Sequence, residues 1–463
     1  MVMWLRTSTD RTSLRLICLA LLAALPLCTA QPAQAQGITS FPAEQSHGPA
    51  EQSHGKDRPL PDRLPDKPTI PAEFTIPIEP LGFSAPGAIY LGQRNALASL
   101  DFLDENRLLF TFRVPGLIHR EPGDRDGSDE RQIRAVVLSL PAGAVIADAL
   151  WTVHDRMRYL WMLKDGHFLL RDRDGIEQGD ATLTLKPFLH FPGPLLWMEL
   201  DPTQQYLVTN SREPATAEQM PGDVASPPTA EAGMTVDGEK PADHDARVPD
   251  MVVRILRRDS GQVMLVSRVR TAVRLPINPE GYIESLRGNG EQWLLNLNYF
   301  TGGSQVMGHV NSTCPPSYDF ISKQELLVTA CDGDGAHDLV ALDTAGHRLW
   351  QNLSGPQTVW PLLVMAPDGS RLARETLVVN HAVTAYSPLD SEDIRGQLVR
   401  VFDAANGKVV LDAPASPALD AGGNVAISPS GKRVAVLNSG AIEVFELPPA
   451  ASPADEAKRQ TAH

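Results

Sequence analysis

A short strand–turn–strand unit recurs along this chain, and it constrains the fold more than any other feature of the sequence. In the clearest copy, Val425–Leu437 (VAISPSGKRVAVL), two apolar runs flank a turn. Leu363–Ala373 (LVMAPDGSRLA) and Met198–Val208 (MELDPTQQYLV) repeat the pattern, with weaker copies at Leu100–Phe110 and Tyr318–Val328. Short apolar runs separated by turn residues predict β-strands, and their repetition predicts a modular all-β fold.

A second apolar hairpin follows these units at a steady offset. Its turn carries Asp and Gly, the residues that best tolerate a tight turn. Four copies are Arg134–Ile146, Val252–Met264, Leu339–Trp350 and Val399–Leu411. Two consecutive hairpins form a four-stranded sheet, so each pair of hairpins predicts one blade of a β-propeller.

The number of blades follows from the position of each first turn. An alignment of Trp151–Leu170 with Gly423–Ile442 that pairs Gly166 with Gly440 adds a blade near residue 154. A degenerate copy near residue 287 adds another, and the short interval after it predicts that the fourth blade lacks a strand. We therefore expect about seven blades, with six and eight left open, marked near residues 103, 154, 201, 287, 321, 366 and 428.

The first thirty residues have the pattern of a secretory signal peptide. Basic residues between Arg6 and Arg15 precede the apolar run Leu16–Leu27, and small residues at Ala30 and Ala35 offer cleavage sites. The apolar run is shorter than the roughly 20 residues that a membrane-spanning helix needs. We expect an exported protein, periplasmic or extracellular, with a retained membrane anchor as the weaker alternative.

Composition divides the rest of the chain. Residues 31–79 are rich in proline, contain a tandem copy (Pro42–Gly48 and Pro49–Gly55) and predict a disordered linker. The propeller is expected over residues 80–447, with a disordered acidic insertion at 212–249 and a disordered tail at 448–463. The apolar segment Ile76–Leu91 is expected to add a strand to the last blade and so to close the ring.

The charge of the chain excludes one class of partner. The formal net charge is −15, and removal of the signal peptide, which carries +2, leaves about −17. Nucleic-acid binders cluster Lys and Arg against phosphates, and no such cluster occurs here. After signal cleavage no segment is long and apolar enough to span a membrane, and we expect a monomer.

Cys314 and Cys331 are the two cysteines that remain after signal cleavage. An oxidising compartment permits a disulfide between them, whereas two cysteines alone cannot supply the four ligands of a structural zinc site. The alternative is a pair of buried, unbonded thiols.

Three Asp-x-Asp-Gly stretches raise the question of calcium. Asp172–Gly175 is better explained as a turn between strands, and Asp124–Gly127 lacks further ligands. Asp332, Asp334 and Asp338 lie together in the fifth blade and form the one candidate for a Ca²⁺ site. No other metal or cofactor is expected.

Catalytic signatures are missing from the sequence. It contains no Gly-x-Ser-x-Gly elbow and no His-Glu-x-x-His motif, and its histidines are scattered singly. We therefore expect a non-enzymatic scaffold. The alternative is a propeller enzyme of the lactonase or oxidoreductase type, which requires at least three ionisable residues to converge at the mouth of the central channel.

The repeats resemble those of the WD40-like and YVTN-type bacterial β-propeller proteins. The resemblance rests on motifs such as Ile427–Val436 (ISPSGKRVAV) and Val364–Ala373 (VMAPDGSRLA), and it extends over roughly residues 80–447. It implies the fold and little about function, because this architecture carries binding scaffolds and unrelated enzymes alike. Because the repeat architecture is complete and no catalytic set is recognisable, the function we expect is protein or glycan binding in the cell envelope.

Overall fold

The computed structural model describes residues 62–87, 95–116, 130–213, 250–270, 273–331, 337–383 and 389–451. These residues form an all-β structure in which 27 strands make seven antiparallel sheets, the blades of a propeller. The only helical elements in the described part are single 3-10 turns at Glu79–Leu81 and Ser391–Asp393. No helix among the described residues is long and apolar enough to cross a membrane.

Blades one to three each contain four strands in chain order. Blade one consists of β2 (Ala98–Asp104), β3 (Arg107–Arg113), β4 (Arg131–Ser139) and β5 (Ala144–Val153). Blade two consists of β6 (Leu160–Met162), β7 (Phe168–Asp172), β8 (Gly175–Gly179) and β9 (Lys186–His190). Blade three consists of β10 (Leu195–Leu200), β11 (Tyr206–Arg212), β12 (Met251–Arg257) and β13 (Val263–Val269). The predicted insertion therefore leaves the body between β11 and β12.

Blades five to seven follow the same plan. Blade five consists of β17 (Ser317–Phe320), β18 (Glu325–Cys331), β19 (His337–Asp343) and β20 (Arg348–Ser354). Blade six consists of β21 (Thr358–Met365), β22 (Arg371–Val379), β23 (Ile394–Asp403) and β24 (Val409–Ala415). Blade seven consists of β25 (Val425–Ile427), β26 (Arg433–Asn438), β27 (Ala441–Glu446) and β1 (Phe74–Pro77).

Blade four has three full strands, β14 (Gly281–Arg287), β15 (Gln292–Tyr299) and β16 (Ser304–Asn311). Its innermost position is taken by residues 273–278, which pair with β14 through the single bridge between Ile277 and Tyr282. Pro276 and Pro279 flank that bridge, and a proline has no amide hydrogen to donate to a strand ladder. Blade four therefore has a weakened inner strand rather than a missing one, and the short interval that predicted a missing strand came from a turn placed too late, near residue 287.

The first turn was predicted at the wrong residues in two blades, blade four and blade two. The first turn of blade four lies at Asn278, whose Oδ1 accepts the amides of Glu280 and Gly281, rather than near residue 287. In blade two the first hairpin is β6–β7, and its turn contains Gly166 at φ +79°. Gly166 is thus equivalent to Gly431 (φ +65°) instead of Gly440, since glycines with positive φ occur in both turns of a blade.

The chain closes the ring with its N-terminal strand. β1 pairs antiparallel with β27, from Phe74 opposite Val444 to Pro77 opposite Ala441, and forms the outer edge of blade seven. The prediction of an N-terminal closing strand is confirmed, but the strand comprises Phe74–Pro77 rather than a part of the chain within Ile76–Leu91 beyond Pro77. The C-terminal boundary predicted for the linker, residue 79, is therefore too far along the chain, because β1 and the segment before it belong to the propeller.

Residues 62–73, which we call the strap, run from blade six to blade seven. Asp62 is buried and forms ion pairs with Arg400 at 2.6 Å and with Arg374 at 3.5 Å. Thr69 exchanges two hydrogen bonds of 2.9 Å with the backbone of Asp412. Because the strap also carries β1 at its end, these contacts hold the closing strand in place.

Apolar side chains fill the space between neighbouring blades. Each of the seven neighbouring pairs has its own buried cluster, including the pair formed by blades seven and one, where Leu100 and Phe110 pack with Leu437 and Ile442. Burial of apolar surface is worth roughly 25 cal/mol per Å². The described core is therefore a continuous belt around the ring rather than a single central cluster.

Replacement of the buried strap carboxylate is expected to destabilise the ring. The substitution Asp62→Asn leaves the buried Arg374 without its carboxylate partner, and breaking a buried ion pair costs about 3 kcal/mol. Urea unfolding followed by tryptophan fluorescence measures this loss. Asp66→Asn, an exposed change in the same strap, is the control and should leave the midpoint unchanged. Equal midpoints for the two variants would show that the strap does not stabilise the closure.

Candidate functional site

The inner strands of three blades place carboxylates at one equivalent position. Asp101 on β2, Glu199 on β10 and Asp319 on β17 each lie opposite a fully buried residue of the next strand, namely Leu109, Val208 and Leu327. Successive side chains of a strand point to opposite faces, so the apolar neighbours on either side pack between the blades. All three carboxylates line a cavity of about 480 Å³ at the centre of the ring.

Arg158 and Arg274 line the same cavity and belong to the blades between these carboxylates. Arg158 precedes β6 in blade two, and Arg274 lies in the inner segment of blade four. Around blades one to five the charges therefore alternate in sign: Asp101, Arg158, Glu199, Arg274, Asp319. Alternation of this kind allows charges to be partly buried, because each has an opposite charge on at least one side.

Arg274 joins two of the carboxylates directly. Its Nε lies 3.2 Å from Glu199 Oε2, and its Nη2 donates to Asp319 Oδ1. Asp101 makes a different contact, accepting the Ser99 hydroxyl at 2.5 Å. Arg158 donates Nε to the Leu160 carbonyl at 3.0 Å and forms no ion pair with any described residue. Arg274 therefore bridges two carboxylates, whereas the Arg158 guanidinium lies over the Trp161 ring, with Cζ 5.1 Å from the ring centroid.

Burial in the channel shifts the acid–base equilibria of the cluster. Burial raises the pKa of Asp101 and of Asp319, although the Ser99 hydroxyl and the Arg274 guanidinium act in the opposite direction. Burial also lowers the pKa of Arg158, and the nearby Asp101 and Glu199 carboxylates offset part of that shift. The Arg158 side chain is nevertheless exposed to solvent, because the water that reaches it fills a channel enclosed by protein.

Glu375 on β22 is one of the two most deeply buried acids that line the cavity, the other being Asp201. Glu375 is 1% exposed; Oε1 accepts Gln397 Nε2 at 2.7 Å, and Oε2 has no hydrogen-bond partner among the described residues. Burial raises the pKa of Glu375 to about 8, while the nearby backbone amides of Gly423 and Asn424 oppose the shift without reaching good hydrogen-bond geometry to Oε2. At neutral pH this carboxyl group is therefore largely protonated.

The cavity combines these charges with an apolar wall. Its lining contains Met157, Leu196, Leu362 and Met365 beside the charged ring. Its volume of about 480 Å³ lies within the 300–1,000 Å³ typical of small-molecule sites. The arrangement offers hydrogen-bond donors, acceptors and apolar surface to one small ligand.

The sequence carried a signal for part of this site. In the aligned repeat units, Asp101, Glu199 and Asp319 occupy the same column, in which Val364 and Ala426 are apolar. A charged residue in a strand column that is apolar in other blades is therefore a sequence signal for a residue of this site. The arginines lie outside the repeat unit, and Glu375 lies on a second strand, so neither has such a signal.

The site residues predicted from sequence lie elsewhere. Asp332 and Asp334 are outside the described residues, and Asp338 lies on β19, where its Oδ2 accepts Gln351 Nε2 at 2.5 Å. The described residues contain no group of three His, Cys, Asp or Glu side chains arranged to hold a metal ion. Cys314 and Cys331 are joined by a disulfide, with Cα atoms 5.5 Å apart, which ties the start of blade five to the end of β18.

Comparison with known proteins finds only distant structural likeness. No protein-family profile matches the chain, and no curated protein matches it at a significant level. A chain of the mitotic checkpoint complex aligns over 89% of this chain and 99% of its own length, at 11% identity and a TM-score of 0.42.

Two further solved structures are equally remote. An acylaminoacyl peptidase from Pyrococcus horikoshii aligns over 79% of this chain and 54% of its own, at 9% identity and a TM-score of 0.42. An uncharacterized protein from Listeria monocytogenes EGD-e aligns over 78% and 96%, at 9% identity and a TM-score of 0.42. None of these likenesses carries an argument about function, and the propeller assignment rests on the strand pairing itself.

The raised pKa of Glu375 predicts a specific dependence of stability on pH. The unfolded chain releases this proton near pH 4.5, and the folded protein holds it up to about pH 8. The stability that this group contributes is therefore complete below pH 4.5 and is lost as the pH rises to about 8. In Glu375→Gln this part of the decline should disappear when melting temperatures are measured from pH 5 to 9. The exposed change Glu446→Gln should leave it intact, and an unchanged decline in Glu375→Gln would contradict the assignment.

Proposed function

We propose that this chain is an exported, non-enzymatic binding propeller whose ligand site is the central channel cavity. The observation that carries the proposal is the convergence of five charged side chains from five consecutive blades on one cavity. Taking charged groups out of bulk water costs free energy, and a structure built only for stability gains more from apolar residues at the same positions. Val364 and Ala426 fill this column in blades six and seven without any charge.

The site takes a small polar ligand or a single side chain of a larger partner. Its lining provides forked donors on Arg158 and acceptors on Asp101, the combination that gives orientation to a ligand in a mostly apolar pocket. Within the broader propeller class, the Pro-Asp-Gly and Pro-Ser-Gly turns at 367–369 and 429–431 support kinship with the YVTN type. A partner protein or glycan of the cell envelope is the proposed source of the ligand, and nucleic acid is not.

Filling the channel should abolish binding. Val364 lies in the same column as the carboxylates, so Val364→Trp places an indole in the cavity. We expect a ligand found by thermal-shift screening of the purified protein to raise the melting temperature of the wild type and not that of the variant.

The control for this variant is Val306→Trp, at a site on β16 that is 62% exposed. Circular dichroism establishes that both variants fold, and Ser99→Tyr provides a second, smaller obstruction of the same cavity. A ligand that stabilises all of these proteins equally would place its site outside the channel and overturn the proposal.

A second candidate function is an acid–base enzyme that uses the same cavity. It is favoured by the convergent ionisable cluster and by the raised pKa of the Asp101 and Asp319 carboxyls, since a general acid must keep its proton near neutral pH. A panel of hydrolase, lactonase and oxidoreductase substrates tests it. Turnover that survives purification and falls in Asp101→Asn would establish this candidate in place of the binding function.

Export and the disulfide are tested by one measurement. We expect the intact mass of protein recovered from the periplasm or medium to lack the residues up to Ala30 or Ala35. The same protein, unreduced, should take up no alkylating reagent at Cys314 and Cys331, and should take up two equivalents after reduction. A full-length mass would contradict signal cleavage, and two reactive thiols before reduction would contradict the disulfide.

Light scattering of the same sample tests the proposed monomer.

A further inference from the structure

Acidic side chains outnumber basic ones around the channel cavity. Apart from Glu375, which is largely protonated at neutral pH, the lining has five acids against four bases: Asp101, Glu199, Asp201, Asp319 and Asp420 against Arg158, Lys164, Arg171 and Arg274. One of the four bases, Arg171, already has a carboxylate partner behind the cavity wall in Asp155. The cavity thus has an excess of negative charge, and its partial enclosure by protein weakens the screening by water.

Two carboxyl groups in the wall have room for a ligand. Asp101, which accepts the Ser99 hydroxyl, has no ion-pair partner among the described residues. The buried Glu375 Oε2 has no hydrogen-bond partner there, and a cation bound beside it favours the ionised form of this carboxyl, in which both oxygens are acceptors. A ligand group with donors and no acceptors satisfies such oxygens without leaving a lone pair of its own unpaired. Guanidinium and primary ammonium groups have this property.

The apolar part of the wall suits the rest of such a ligand. Met157 and Leu196 are 49% and 37% exposed, and both line this cavity. An aliphatic stem that covers them removes apolar surface from water and adds to the affinity.

We propose that the channel cavity binds an organic cation, a guanidinium or primary ammonium group on an apolar stem. The inference rests on the proposed binding function and names the chemistry of its ligand. A free alkyl amine and an Arg or Lys side chain of a polypeptide share this chemistry, and the cavity recognises the cationic head in either case.

The positive charge of Arg158 provides a test that distinguishes a cationic ligand from an anionic one. This charge interacts favourably with Asp101, Glu199 and Asp319, yet it forms no ion pair with any described residue. An incoming cation must compete with that charge, whereas an anion would bind to it. Removal of Arg158 therefore strengthens cation binding and weakens anion binding.

The experiment measures binding of n-butylguanidinium to the purified protein by isothermal titration calorimetry, with neutral n-butylurea and anionic butyrate as matched probes. We expect the cation alone to bind. Asp101→Asn should weaken its binding about tenfold, and Arg158→Gln should tighten it several-fold. Arg395→Gln, an exposed change of the same charge, is the control and should have no effect. A blocked Gly-Gly-Arg-Gly-Gly peptide that binds equally well would identify a polypeptide side chain as the source, and binding of the free cation alone would identify a small amine.

Two results would overturn the inference. If butylurea or butyrate binds and Val364→Trp abolishes that binding, the channel is a ligand site but its ligand is not a cation. If butylguanidinium binds and Arg158→Gln weakens that binding, the cation does not compete with Arg158 as proposed. If no probe binds, and if Val364→Trp also has no effect on the binding of a ligand found by thermal-shift screening, the channel is not the ligand site. That result would contradict the proposed function as well.

Discussion

The pairing of β1 with β27 is the contact on which the rest of this structure depends. A ring of blades is stable only when the last blade packs on the first, and here the last blade receives its outer strand from the start of the propeller. Four residue pairs make that connection, which is little for a body of this size. The strap reinforces it, because Asp62 pairs with Arg400 and Arg374 of blade six and so ties three segments of the chain together.

Closure also creates the candidate site. Once the inner strands meet around an axis, Asp101 and Asp319, more than two hundred residues apart in sequence, line the same cavity. In blades six and seven the residues of this column, Val364 and Ala426, pack with the apolar clusters between the blades. Blades one, three and five have a carboxylate in the same column and so lack those apolar contacts.

Much of the fold could be predicted from the sequence, because turns leave a strong local signal. Hairpins with Pro-Asp-Gly or Pro-Ser-Gly, such as those after Ala366 and Ser428, were predicted at the correct positions. The strand that closes the ring was predicted at the correct end of the chain, although it comprises residues 74–77 rather than residues within 76–91. The errors arose where that signal is ambiguous. Gly166 fits either turn of a blade, and the prolines at 276 and 279 hide an inner strand that makes one bridge. The buried Asp62 was missed because its partners lie more than three hundred residues away.

The candidate site was less predictable for a physical reason. A catalytic motif is local, whereas this cluster takes single residues from many blades, and only the alignment of repeats relates them. Asp101, Glu199 and Asp319 could have been found in that alignment as charged residues in a column that is apolar in other blades. Arg274 could not, since its strand is too degenerate to align, and Glu375 could not, since its burial depends on blade seven packing against β22. In a repeat protein, therefore, departures from the repeat at positions that face the axis show more about a ligand than the repeat does.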